Sequence, residues 1–202
     1  MPIQLDSPTS SNRPPVVAAR GLGQTVIGMV VDKEQRHRQD RDGAPILNSR
    51  GRPAQEEVIT IIVLEGTTGT VSGGDLNDDW TPDAGQLARV IFRGLSYGKL
   101  IDARKSVGAT NVGDVITVTS PTATVWRGAG DIAARDVTDQ ATIDKARVKG
   151  LSVGWDLEVT YRRPTGAEAS LVAQAEAAHV DNRSRITLDT TPAPTVDPDD
   201  AF

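Results

Sequence analysis

The stretch Ala88-Arg-Val-Ile-Phe-Arg-Gly-Leu95-Ser-Tyr-Gly-Lys-Leu-Ile-Asp-Ala-Arg-Lys-Ser-Val107 changes periodicity in its middle. Ala88 to Phe92 is a short, strongly apolar run that reads as a strand. From Leu95 the β pattern breaks: Leu95, Leu100 and Ile101, with Ala103 behind them, can line one helical face, while Lys99, Arg104 and Lys105 fall elsewhere. The spacing predicts a helix over 95–107. Working toward the N-terminus, Val58 to Leu64 is the strongest strand of the chain, and Gln24 to Val31 is a β-branched run whose internal Gly28 suits a bend. Working toward the C-terminus, Val112 to Val118 and Thr122 to Trp126 read as one strand interrupted at Ser120-Pro121, and Gly154 to Tyr161 as another. The order is three strands, a helix, then two strands.

That order is the order of the OB-fold, so the expected class is mainly β: a five-stranded Greek-key barrel with a helix between strands 3 and 4. Bent, glycine-containing strands close a small barrel and leave no free edge. A sandwich or a tail-tube-like barrel is the other small all-β solution. The barrel domain is expected over 16–186. It carries a long hairpin-like excursion, Lys33 to Glu56, with turn signals at Asp42-Gly43 and Arg50-Gly51-Arg52-Pro53. Between the fourth and fifth strands lies a charged insertion in which Asp131 to Val148 has room for a short helix. Ala167 to Val180 is Ala- and Glu-rich and reads as a helix of modest stability. The two ends, 1–15 and 187–202, are rich in Ser, Thr, Pro and Asp without an apolar period, and are expected to be disordered.

Composition excludes several classes of function. The chain has 202 residues, no cysteine and only two histidines, His37 and His179, so disulfides, thiolate sites, zinc and histidine-based catalysis are disfavoured. Gly21-Leu22-Gly23 lacks the spacing of a dinucleotide fingerprint, and Ser72-Gly73-Gly74 lacks the lysine of a phosphate loop. The carboxylates Asp75, Asp78, Asp79 and Asp83 miss the calcium-loop spacing and read as a solvated acidic loop. No catalytic residue, cofactor or metal is expected. No apolar run suits a membrane span and no signal segment is present, which points to a cytoplasmic protein, in the host cytoplasm if phage-encoded.

The net charge of −5 argues at first against nucleic acid, yet its distribution does not. Setting aside Asp6, Asp189, Asp197, Asp199 and Asp200 in the two ends leaves 22 acids against 22 bases, and all the bases lie between Arg13 and Arg185. A single strand of nucleic acid is held by a cationic groove for phosphates and flat side chains for bases. Candidates for the first are Arg36, Arg38 and Arg41 on the outgoing limb of the excursion, Arg50 and Arg52 on its return, and Arg93 with Lys99 flanking the third strand. Trp126-Arg127 and Tyr161-Arg162-Arg163 put a ring beside guanidinium groups at strand ends. The competing reading of the excursion is a solvated hairpin balanced by Asp32, Glu34, Asp40 and Asp42. Trp155 and Tyr97 read as packing residues, and Trp80 as a packing or partner contact.

Two features resemble known proteins. Gly28-Met29-Val30-Val31-Asp32, Arg38-Gln39-Asp40-Arg41-Asp42-Gly43-Ala44-Pro45, Gly51-Arg52-Pro53, Val90-Ile91-Phe92-Arg93-Gly94 and Val112-Gly113-Asp114-Val115-Ile116-Thr117-Val118 together resemble OB-fold proteins of actinobacterial phages and mobile elements. The final residues Asp197-Pro198-Asp199-Asp200-Ala201-Phe202 resemble the acidic tip of bacterial and phage single-stranded DNA-binding proteins, which recruits partners. The resemblance implies a non-enzymatic, sequence-independent single-stranded DNA-binding protein of replication and recombination. Asp197, Asp199, Asp200 and Phe202 would hold partner proteins, and a homo-oligomer is expected. The rival is a phage virion structural protein, a capsid decoration or tail component.

Overall fold

The computed structural model describes residues 14–170 except 41, 49, 72–79, 109–110 and 129. The strands are β1 (Val17–Ala18), β2 (Thr25–His37), β3 (Gln55–Val63), β4 (Thr70–Val71), β5 (Leu87–Arg93), β6 (Val115–Gly128), β7 (Asp131–Val137) and β8 (Ser152–Arg162). The helices are α1 (Leu95–Val107) and α2 (Gln140–Val148). A six-stranded antiparallel sheet runs β5-β3-β2-β6-β7, with β8 paired along β6. A separate two-stranded sheet, β1 with β4, packs on it through Val17 and Val71.

Alternation along the strands builds the core. Val26 and Val30 of β2, Ile59, Ile61 and Val63 of β3, Ala88, Val90 and Phe92 of β5, and Ile116 and Val118 of β6 meet in one cluster. Leu100 and Ala103 of α1 close over it. A Cβ on Gly28 would run into the Ile61 side chain, so only glycine lets β2 cross β3 this closely. The register shift between Val30 and Asp32 turns β2 at the same place. Burying each of the large aliphatic side chains is worth about 1.5–3 kcal/mol. Because the cluster draws on β2, β3, β5, β6 and, through Val159 and Tyr161, β8, together with the helix, it is what holds the main sheet together.

The expected barrel is not closed. β5 and β8 flank the sheet without hydrogen-bonding to each other, so the architecture is an open antiparallel sheet. A cleft of about 250 Å³ lies here, lined among others by Val17, Ala19, Val90, Phe92, Val118 and Leu157. The chain just before β1 runs along β5: Arg89 donates its backbone N–H to Pro15 O and its Nε to Pro14 O, both at 2.7 Å. Residues 14 and 15, expected in a disordered arm, are therefore tied down. The rest of that arm and the acidic end lie outside the described residues.

The interruption expected at Ser120-Pro121 is a bulge within one strand: β6 runs through it, and there it exchanges β2 for β7 along one edge while β8 follows the other. Ser120 is buried there and donates its hydroxyl to Gly21 O. The short helix for which 131–148 has room is α2, and β7 precedes it as a strand the sequence pattern did not announce. Asp139 caps α2 by accepting from Thr142 N at 2.7 Å, while Ile143 and Ala146 pack on Ala123 and Val125 to make a second core. Leu95, expected on the packed face of α1, is 86% exposed. Five residues separate it from Leu100, about 0.4 of a turn out of line, and the buried face follows Tyr97, Leu100 and Ala103 instead.

Candidate nucleic-acid interface

The excursion between β2 and β3 is a projecting arm of defined shape. Pairing of the two strands continues past their ends, since Arg38 N donates to Ala54 O at 2.8 Å. Beyond that point the chain forms two loops in tandem. In the first, Asp40 Oδ1 accepts from the N–H groups of Asp42 and Ala44, and Asp40 N donates to Ala44 O. In the second, Asn48 Oδ1 accepts from Arg50 and Arg52, and Asn48 N donates to Arg52 O. Gly43 and Gly51 occupy the equivalent left-handed positions, with φ of 83° and 70°. The loops and the ribbon meet at a ring of three backbone hydrogen bonds: Arg38 N to Ala54 O, Ala54 N to Ile46 O, and Ile46 N to Arg38 O, at 2.8–2.9 Å. The arm is thus a clover of two loops on a β stalk.

The sequence carries a signal for it beyond the two turn signals. Asp40-x-x-Gly43-x-Pro45 and Asn48-x-x-Gly51-x-Pro53 are one pattern repeated after eight residues. The acid or amide turns the chain, glycine takes the left-handed residue, and proline removes an N–H that the ring of hydrogen bonds does not use.

Arg50 and Arg52 are exposed on the second loop, and Arg38 is part-exposed at the junction. None of the three is ion-paired among the described residues. Arg41 lies outside the described residues. At the base of the arm Arg36, Glu56 and Arg93 stand in one cross-strand row on β2, β3 and β5. Glu56, 5% exposed, accepts from Arg36 Nε at 2.7 Å and pairs with Arg93 Nε at 2.8 Å. One carboxylate therefore holds two guanidinium groups, and the row keeps a positive charge. Over Arg36–Ala54 five arginines face two aspartates, a net +3, which leaves −8 on the rest of the chain.

The other sequence candidates are placed differently. Tyr161 is 7% exposed and belongs to the main core, so its ring is not a platform for a base. It shares the inward side of β8 with Leu157 and Val159, beside Arg104, which forms a two-pronged ion pair with the buried Glu57. Burial raises the Tyr161 pKa against the opposing pull of Arg104. Arg162 grips Glu168 through both terminal nitrogens, at 2.7 and 2.6 Å. Glu168 also accepts from Thr165 N and Oγ1, the capping box of a helical turn at 166–170. These bonds hold the Glu168 carboxyl down at about 2. Arg163 pairs with the buried Asp114 at 2.7 Å. Trp126 is part-exposed, with its indole nitrogen over Gly154, and Arg127 lies 3.9 Å from Asp131. Lys99 is exposed on α1.

The structure therefore gathers Arg36, Arg38, Arg50, Arg52 and Arg93 along the arm and its base. Arg162 and Arg163 are spent on structural carboxylates. Trp126 and Arg127 sit at the opposite end of the sheet, because β6 leaves β2 at Thr25 and runs away from the arm. Asp197, Asp199, Asp200 and Phe202 lie outside the described residues, as do Asp75, Asp78 and Asp79. Among the described residues no group of three His, Asp or Glu could hold a metal ion, and no helix is long and apolar enough to cross a membrane. No known protein family, curated protein or solved structure matches the chain.

Proposed function

We propose that this is a non-enzymatic protein that binds and protects single-stranded DNA, with the clover arm as its cationic contact. The observation that carries the reading is the arm itself: a shaped projection that presents Arg38, Arg50 and Arg52 without carboxylate partners among the described residues. Unpaired guanidinium groups cost nothing to desolvate from a protein partner before they meet phosphate.

The scaffold supports the same reading. The order β5-β3-β2-β6-β8, with α1 between the third and fourth of these strands in sequence, is that of an OB-fold opened along one seam. In that fold the loop between the first two strands borders the nucleic-acid face, which is where the arm stands. The acidic end with Phe202 would recruit replication and recombination proteins, and linked copies would extend the coated length.

A duplex competitor tests this reading. Labelled oligo-dT bound at low salt should resist displacement by a duplex of equal length; complete displacement by the duplex rules out a single-strand protein. One observation favours the rival virion role: Leu47, bridged to Pro53 where the second loop of the arm begins, is 56% exposed, as a protein contact would be. For that role the arm would lock neighbouring subunits, and oligo-dT would not bind at all.

A further inference from the structure

Proteins that bind single strands draw on two sources of affinity, neutralised phosphates and bases stacked on flat side chains. Here the two are separated in space. The sequence has seven aromatic residues, and all but Phe202 are described. Phe92 and Tyr161 are core residues. Tyr97 reaches β2 near the base of the arm, yet it packs on the core and its hydroxyl accepts from Gln35 Nε2 at 2.8 Å. Trp155 packs on the second core beneath Arg147, whose guanidinium lies 5.8 Å from the ring centre.

Trp80 and Trp126 keep more exposure, but both lie beyond the Thr25 end of β2. Trp80 is paired to Val71 next to the loop whose Thr68 and Gly69 donate to Thr25 O, and β6 carries Trp126 further the same way. The arm stands at the His37 end. Among the described residues it offers five-donor guanidinium forks and no Phe, Tyr or Trp, the one aromatic ring being the exposed imidazole of His37 where the stalk begins.

We infer that the arm recognises the sugar-phosphate backbone of a strand and takes no account of its bases. The inference rests on the nucleic-acid reading above and names what that site holds. Glu56 pre-aligns the guanidinium groups of Arg36 and Arg93, while the Asn48 turn fixes the backbone from which Arg50 and Arg52 project. Preference for a single strand then comes from flexibility: an unpaired chain bends its phosphates around a small knob, while a duplex is stiff over many turns.

The experiment compares two labelled strands of equal length on the full chain, oligo-dT and one with a stable abasic sugar at every position. Both should bind at low salt within about threefold of each other, since a single stacked base would be worth about tenfold or more. Arg50→Ala with Arg52→Ala should weaken both strands by one factor, and Trp126→Ala should change neither. Oligo-dT binding with a tenfold loss on the abasic strand, or a Trp126→Ala defect confined to oligo-dT, overturns the inference and leaves single-strand binding standing. Failure of both strands to bind overturns the inference and the proposed function together.

Discussion

Glu56, Glu57 and Asp114 are each 5% exposed, and each is matched to arginine: Glu56 to Arg36 and Arg93, Glu57 to Arg104, Asp114 to Arg163. A carboxylate so placed is tolerable only while its partner stays. Arg104→Ala strands the Glu57 charge beneath α1 and should cost about 3 kcal/mol in a urea titration, near the low end for a buried pair because Arg104 retains some exposure. Glu168 gives a pH signature. Its pKa falls from an ordinary 4.5 to about 2 on folding, so its contribution is complete above about 4.5 and is lost as the pH drops toward 2. An NMR titration of the carboxyl should show that midpoint, and Glu168→Gln should flatten the stability change across the same window. Part of this was legible from residues alone. Tyr161 alternates with Leu157 and Val159, so period two already placed it inward. The carboxylates that consume Arg162 and Arg163 were not legible, since Asp114 is 49 residues from its partner.

At the scale of elements, the order strand, strand, strand, helix, strand, strand could be read because each run was long and its periodicity clear. What escaped was weaker locally. β7 (Asp-Ile-Ala-Ala-Arg-Asp-Val) has only two β-branched residues and no clean alternation, and forms because β6, already paired to β8, offers it a free edge. The break at Pro121 was legible as an interruption, but its use was not: a proline at a bulge removes no ladder bond, and there β6 changes partners. The clover was legible in principle from its repeat. Its turns depend on Asp40 and Asn48, each of which satisfies two backbone N–H groups. Asp40→Ala and Asn48→Ala should each cost the arm about 0.5–2 kcal/mol, by analogy with lost helix caps. Hydrogen exchange at Ala44 and Arg52 should speed up accordingly. Tm should stay where it is, because no clover residue enters any of the three apolar clusters. A large fall in Tm would mean that the arm is integral to the fold.

For the whole molecule, the sheet is open where β5 and β8 fail to meet, and the segment leading into β1 lies along β5 instead. Closure depends on hydrogen bonds between strands distant in sequence, which no local pattern reports, so the element order could be read while the seam could not. Charge is divided as well: the arm is cationic and the rest of the chain acidic, which directs an anionic partner to one place. The most direct measurement is the salt dependence of oligo-dT binding, by fluorescence anisotropy, for the wild type and for Arg38→Ala/Arg50→Ala/Arg52→Ala. The account predicts measurable binding at low salt that weakens steeply with added salt. The triple variant should show a log–log slope shallower by about 2, at roughly 0.7 for each of the phosphate contacts removed from a single strand. Equal slopes in the two proteins, or no binding by the wild type at low salt, would contradict it.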